Sequence, residues 1–275
     1  MTQATHLSAQ QSKTPGTNRR MWGLDSPKMD IDAAHLVVGA EGTVRIPLPA
    51  YLIEHEQGLV LFDTSMNPLV CDDPGLVYEE GRPERDMIIG DPEQRIDRQL
   101  ATLGYRPEDI THVILSHTHS DHAGGLYLFP QAKFFAGPGE LQWQAGHGPS
   151  TSHLFNPTDF SDEVKAFDWN SVQAPSQDLF GDGSIIMHHT PGHTPGELSA
   201  LVRLPSRNII LTGDTVHLRE AVEWGEVDPS DWDYDEERAS IAKLKQLRDS
   251  EDASLWIAHD PRDWEDFGGP LQEIA

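Results

Sequence analysis

Three observations predict a mixed α/β protein. Short apolar runs bounded by Gly, Pro, Asn and Asp recur along the chain and read as strands. Two longer segments carry apolar residues at helical spacing. The two kinds of segment fall into two halves, each passing from strands to helices, with no internal repeat or coiled-coil heptad. At 275 residues and 37% hydrophobic content, one large core can be buried, and one domain over residues 21–275 is expected.

Residues 1–20 are polar and rich in Gln, Ser and Thr, which predicts a flexible N-terminal segment with order beginning at Met21. Met21, Trp22 and Leu24 suit either of two roles, anchoring a first strand or lining an entrance for an apolar substrate chain; the first is preferred. Ala34 to Val38, Thr43 to Pro47, Ala50 to Glu54 and Leu59 to Asp63 read as strands, with Glu56-Gln57-Gly58 as a hairpin turn. Asp91-Pro92 opens a helix with Ile96, Leu100 and Leu103 on its apolar face, and Gly104 closes it. A strand from His112 to Ser116 leads into a polar cluster within which a helix starts. Further strands are expected at Lys133 to Ala136, Ser184 to His188, Leu198 to Arg203, Ile209 to Leu211 and Leu255 to Ala258, and a helix across Tyr234 to Asp249. The stretch from Gly146 to Ser176, rich in Pro, Ser, Asp and aromatic residues, predicts a loop or helical insertion over the functional site.

Composition excludes several classes. With 45 acidic against 20 basic residues the formal charge is −25, so polyanions are repelled and nucleic-acid binding is not expected. The acidic surface is read as a solubility device. No run of about 20 apolar residues is present, so no membrane span is expected. The first residues lack the basic head and apolar core of a secretory signal, which makes the cytoplasm the expected compartment. The single Cys71 forbids an intrachain disulfide and fits no ligand pattern.

The chemistry is carried by His117-Thr118-His119-Ser120-Asp121-His122-Ala123-Gly124-Gly125, directly after the apolar Val113-Ile114-Leu115. Along an extended segment residues i and i+2 face the same way, so His117 and His119 can share one metal ion while Asp121 and His122 reach a second. Imidazole and carboxylate without thiolate suit Zn²⁺, with Fe, Mn or Co as neighbours in preference. Two ions need more ligands, and His193, Asp214 and His259 each end an apolar run. The remaining histidines, His6, His35, His55, His112, His147, His153, His188 and His189, are read as ordinary surface or core residues.

His-x-His-x-Asp-His followed by Gly192-His193, Gly213-Asp214 and a final His259 resembles the metallo-β-lactamase superfamily of hydrolases. Leu61-Phe62-Asp63-Thr64, Thr190-Pro191-Gly192-His193-Thr194-Pro195-Gly196 and the pair His259-Asp260 bring it nearest to the N-acyl-homoserine lactonases. The resemblance spans about Pro47 to Asp260 and implies a four-layer αββα sandwich with the site at one edge between two sheets. It implies that His117, His119 and His193 hold one metal, that Asp121, His122 and His259 hold the other, and that Asp214 bridges. Asp63 would orient a ligating imidazole from behind. One departure stands out: such lactonases carry a Tyr three residues after the bridging Asp, and here that position is His217. His217 either offers an N–H to the substrate carbonyl oxygen in the place of the Tyr or is an ordinary surface residue.

The expected reaction is opening of the lactone ring of N-acyl-homoserine lactones, the quorum-sensing signals, by a metal-bridging hydroxide, with Asp121 passing the proton to the leaving alkoxide. A small-molecule lactone is then the only partner expected, whether the protein is a monomer or a homodimer. No Ser stands in a Gly-x-Ser-x-Gly setting, and none is required. The alternative on the same fold is a thioesterase of the glyoxalase II type or a hydrolase of another lactone or ester. The long spacing from Asp214 to His259 and the negative surface weigh against anionic thioesters. A non-catalytic metal-binding module is disfavoured by the completeness of the ligand set.

Overall fold

Alternation along the strands decides the layers, as the computed structural model of residues 18–146, 155–173, 175–228 and 231–275 shows. One sheet has seven strands in the order Glu273–Ile274, Asn18–Leu24, Ala50–His55, Gly58–Phe62, Ile110–Ile114, Lys133–Ala136 and Asp168–Ser171. A second has five, Ser176–Asp178, Ile185–His189, Leu198–Arg203, Asn208–Leu211 and Ala253–Trp256. Tyr51 and Ile53 of the first sheet meet Leu198, Ala200, Val202, Ile209 and Leu211 of the second in the central core. Their neighbours Ala50 and Leu52 face away, onto Ile96 and Leu100 of the helix Ile96–Thr102. Leu201 and Ile210 likewise face away from the centre, onto Ile241 and Leu244 of the helix Tyr234–Glu251. A period of two in each strand thus produces two sheets face to face with helices outside, the expected αββα sandwich. A small third sheet, Thr43–Pro47, Lys28–Asp32 and Ile88–Ile89, packs on the outer core of the five-stranded side.

Several expectations are corrected. Ala34 to Val38 is not a strand: Ala33–His35 forms a 3₁₀ turn whose Asp32 side chain accepts from the Ala34 N–H. The buried Leu36 and Val37 make that run apolar without a strand partner. Order begins before Met21: Asn18 to Arg20 open a strand, antiparallel to Ala50–His55 with Met21 opposite Ile53; residues 1–17 lie outside the described residues. Met21, Trp22 and Leu24 are buried in the cores and anchor this strand. The expected helix after Asp91 splits into a 3₁₀ turn, Pro92–Gln94, an extended Arg95, and Ile96–Thr102, with Gly104 at φ +88° closing it. Within the Gly146 to Ser176 stretch are a short helix, Asp162–Lys165, and the edge strand Asp168–Ser171; residues 147–154 and 174 lie outside the described residues. Among the described residues no helix is long and apolar enough to cross a membrane.

Candidate metal centre

Strand Ile110–Ile114 stops two residues before Ser116, and the reason is that Ser116 leaves the sheet to join the two layers. Its N–H donates to Asp63 Oδ1 at 2.7 Å, and its carbonyl accepts the Leu198 N–H from the second sheet at 2.9 Å. The chain beyond is thereby aimed into the cleft at the edge of the sandwich, and His117 and His119 enter it before the short helix Ser120–Ala123 begins. Asp214 arrives on a 3₁₀ turn, Gly213–Thr215, after strand Asn208–Leu211. Gly213 sits at φ +55°, and a Cβ there would stand 2.3 Å from Glu197 Oε1, so this approach requires glycine. His259 follows strand Ala253–Trp256, and Asp260 beyond it caps the helix Pro261–Asp266 by accepting from the Arg262 N–H.

All seven candidate ligands converge in two groups. His117, His119 and His193 form one, and Asp121, His122, Asp214 and His259 the other; in each the facing N and O atoms lie within 4.8 Å of one another. Asp214 stands between them. Its Oδ1 is 3.2 Å from His122 Nε2 and 3.0 Å from His259 Nε2, while Oδ2 is 3.6 Å from His193 Nε2 and 3.8 Å from His117 Nε2. Asp121 Oδ2 reaches the Nε2 atoms of His122 and His259 at 3.5 Å each.

The rear of each imidazole determines which nitrogen faces inward. His122 donates its Nδ1–H to Asp63 Oδ2 at 2.9 Å, His259 its Nδ1–H to the Pro47 carbonyl at 2.8 Å, and His193 its Nδ1–H to Asp231 Oδ1 at 2.6 Å. With Nδ1 committed behind, the lone pair of Nε2 is presented to the cleft. Asp63 accepts this bond from a strained φ of 60°. Among the described residues His117 Nε2 and Asp214 Oδ1 are buried with no hydrogen-bond partner, and His193 Nε2 lies only 2.9 Å from His119 Nδ1. Facing lone pairs at these separations repel unless a cation joins them. The edge of a tetrahedron of Zn–N bonds is about 3.3 Å, so the donor set fits a divalent metal.

Electrostatics agrees. Burial, and then the neighbouring imidazoles, drive His117 and His119 well below the usual histidine range, into the neutral form a metal needs. At His122 burial acts the same way but is outweighed by Asp214, Asp121 and Asp63, which favour a positive charge at this spot.

His217 is no surface residue. It is 4% exposed, its Nε2 is 3.4 Å from Asp214 Oδ2, and its ring stacks along His259 and meets His193 edge-on. A third group that could hold a metal joins His193 to His217 and Asp231; Cys71 is buried and belongs to none of the three, and His35, His55, His112, His188 and His189 stay outside them too.

Some neighbours carry no sequence signal of their own. Asp231 is 38 residues from His193, and Glu197, buried beside His117 Nδ1 at 3.3 Å, accepts the Asp214 N–H. Glu140 accepts from Thr118 and from the Gly196 N–H, tying the two metal-bearing loops together. Phe155 and Trp143 pack against His119 and form an apolar wall.

Asp159 is buried beside Ser120, and burial pushes its carboxyl up to about 7. A raised acid keeps its proton in the native state where the unfolded chain has lost it, so its contribution to stability falls as pH rises from 3.8 to about 7. The urea midpoint of the wild type is expected to fall relative to that of Asp159→Asn across this window; a constant difference would contradict the assignment.

With this geometry established, comparison with known proteins places the chain. The family model of the metallo-β-lactamase superfamily matches residues 47–251. The N-acyl homoserine lactonase AttM of Agrobacterium fabrum is 30% identical over 233 residues, 81% of this chain and 85% of the relative. An N-acyl homoserine lactonase of a Bacillus species is 31% identical over 219 residues, covering 78% and 82%. Among solved structures, an N-acyl homoserine lactone hydrolase with the product N-hexanoyl-L-homoserine at its catalytic metal centre superposes with a TM-score of 0.78 at 22% identity, covering 94% of this chain and all of that one. AidC, a dizinc quorum-quenching lactonase, gives 0.63 at 19% identity over 90% and 92%. The chain belongs to the metallo-β-lactamase superfamily and is a hydrolase whose relatives include N-acyl homoserine lactonases.

Proposed function

We propose that this protein opens the lactone ring of N-acyl-homoserine lactones with two bound divalent ions, zinc in preference. The observation that carries the reading is the convergence of His117, His119 and His193 on one side of Asp214 and of Asp121, His122 and His259 on the other. These residues would hold the two ions, which when bound supply a low-pKa water and polarisation of the carbonyl.

The chain's own residues supply the rest. Asp121 is the most open of the carboxylates in the cleft, with 24% of its side chain exposed, and it faces both His122 and His259. It is placed to take the proton released as the tetrahedral centre forms and to hand it to the leaving alkoxide. His217 takes the Tyr position, buried with its Nε2 3.4 Å from Asp214 Oδ2. As a fixed N–H donor it stabilises negative charge growing on the carbonyl oxygen. Phe155 and Trp143, beside His119, offer an apolar face to the acyl chain and keep water from that side.

The test is hydrolysis of homoserine lactones with short and long acyl chains on metal-loaded protein, beside a thioester and a β-lactam. Lactone turnover that disappears in Asp121→Asn and in His122→Ala is expected. Thioester turnover without any lactone turnover would overturn the reading in favour of the glyoxalase II type. His217→Phe is expected to lower kcat by roughly 10²-fold with a smaller change in KM, and His217→Tyr to restore much of the loss. Equal kcat in His217→Phe and wild type would remove His217 from the mechanism.

A further inference from the structure

One buried carboxyl group joins the two segments that carry His117, His119 and His193, and the reaction above does not use it. Glu140 opens the helix Glu140–Gly146 and is fully buried. Its Oε1 accepts the Thr118 N–H at 2.9 Å and the Thr118 hydroxyl at 2.7 Å, while its Oε2 accepts the Gly196 N–H at 3.0 Å. Thr118 stands between His117 and His119, and Gly196 lies three residues beyond His193 in the loop between strands Ile185–His189 and Leu198–Arg203. A carboxyl group away from water is costly unless donors surround it, and here three donors from two remote segments do so.

The backbone is shaped for this contact. A Cβ on Gly196 would stand 2.4 Å from Glu140 Cβ, and one on Gly137 would stand 1.8 Å from the Gly196 carbonyl oxygen, so the loop reaches Glu140 because both positions are glycine. The Ser116 carbonyl and the Leu198 N–H join the two segments at their base, and Glu140 joins them again beside the ligands. There His119 Nδ1 and His193 Nε2, 74 residues apart in the chain, face each other at 2.9 Å. One turn along the helix from Glu140, the ring of Trp143 meets that of His119 at 5.9 Å, so the helix braces this side of the centre twice. The other side is held by different groups, His122 by Asp63 and His259 by the Pro47 carbonyl.

We propose that Glu140 is a positioning residue for the ion of His117, His119 and His193: by accepting from both segments at once, it fixes the separation of the imidazoles that hold that ion. Both of its oxygens serve as acceptors, so an amide, with one oxygen and one NH₂, cannot make the same set of bonds. The inference rests on the two-metal reading of the site and is independent of the lactone.

Metal binding is the readout. The full chain, stripped with a chelator, is titrated with Co²⁺ against a competing chelator while its visible absorption is followed. Two backgrounds separate the ions: His259→Ala keeps the one bound by His117, His119 and His193, and His193→Ala keeps the other. Glu140→Gln is expected to weaken the first ion roughly 10- to 100-fold and to leave the second within about threefold of its background. Gln matches Glu in shape and keeps the Thr118 bonds but sets its NH₂ against the Gly196 N–H, so a residue that only filled space would tolerate the exchange. Gly196→Ala, which keeps the carboxyl group but pushes the loop away from it, is expected to weaken the same ion. Thr118→Val, close in shape and short of one of the three donors, is expected to weaken it roughly tenfold or less. Urea unfolding of the metal-free proteins shows which variants fold, and Thr118→Val decides the matter if the other two do not. Unchanged affinity for the first ion in the folded variants, or equal losses at both ions, would overturn the proposal. Wild-type protein that binds fewer than two ions would overturn the two-metal reading, and this inference with it.

Discussion

Asp214→Ala is expected to abolish lactone hydrolysis, lowering kcat/KM on the order of 10³-fold or more, and to leave the protein unable to hold two metal ions together. The two oxygens of Asp214 face candidate ligands of both groups, with His122 and His259 at Oδ1 and His193 and His117 at Oδ2. Removing it leaves five imidazoles and Asp121 around a buried cleft with one carboxylate where there were two. Two adjacent dications then lose the anion that separates them. Metal content by atomic emission, read beside lactone turnover, checks both parts. A variant that holds two ions per chain and keeps its turnover would show that Asp214 does not bridge. His259→Ala, which removes a ligand from one side only, is expected to lose that ion and keep the other.

Trp256→Ala is expected to destabilise the fold by about 3–5 kcal/mol. Trp256 is 1% exposed in the core between the sheets, stacks on Phe267 with ring centroids 4.2 Å apart, and meets Tyr51 edge-on at 4.7 Å. Truncation leaves a cavity walled by rings that cannot collapse into it, because Tyr51 is held in a central strand and Phe267 at a helix end. The same residue positions the site, since the Trp256 carbonyl accepts the Thr212 N–H beside Asp214, and His259 follows three residues on. Guanidinium unfolding is expected to show a lower midpoint with an unchanged slope. A midpoint shift worth less than about 1 kcal/mol would mean that this wall of the core is not packed as described.

Much of this was legible in the residues. His117, His119, Asp121 and His122 are close in the chain, so their convergence needs only a strand and a turn. His193, Asp214 and His259 could be found because each ends an apolar run, and strand ends at one edge of a sheet are brought together by the sheet itself. The strands Lys133–Ala136 and Leu198–Arg203 have the bounds their alternation predicts. Local pattern failed where burial came without it. Asn18–Leu24 begins with Asn18, Arg19 and Arg20, whose polarity hides a strand that pairs on both edges. Leu36 and Val37 are as apolar as any strand residue and pack as a turn.

The sequence by itself determined the candidate ligands, a mixed α/β class and the absence of a nucleophilic serine motif, because residue type and short-range spacing decide these; the two-sheet sandwich came from the family resemblance. Only the tertiary structure decided what stands behind the ligands. Asp63 behind His122, Asp231 behind His193, and Glu197 beside His117 come from segments remote in the chain, and a carboxylate offers no periodicity by which to find it. The same holds for His217. A histidine in a polar loop reads as surface until the fold seals it beside Asp214, and burial against a carboxylate, which no local pattern records, makes it part of the site.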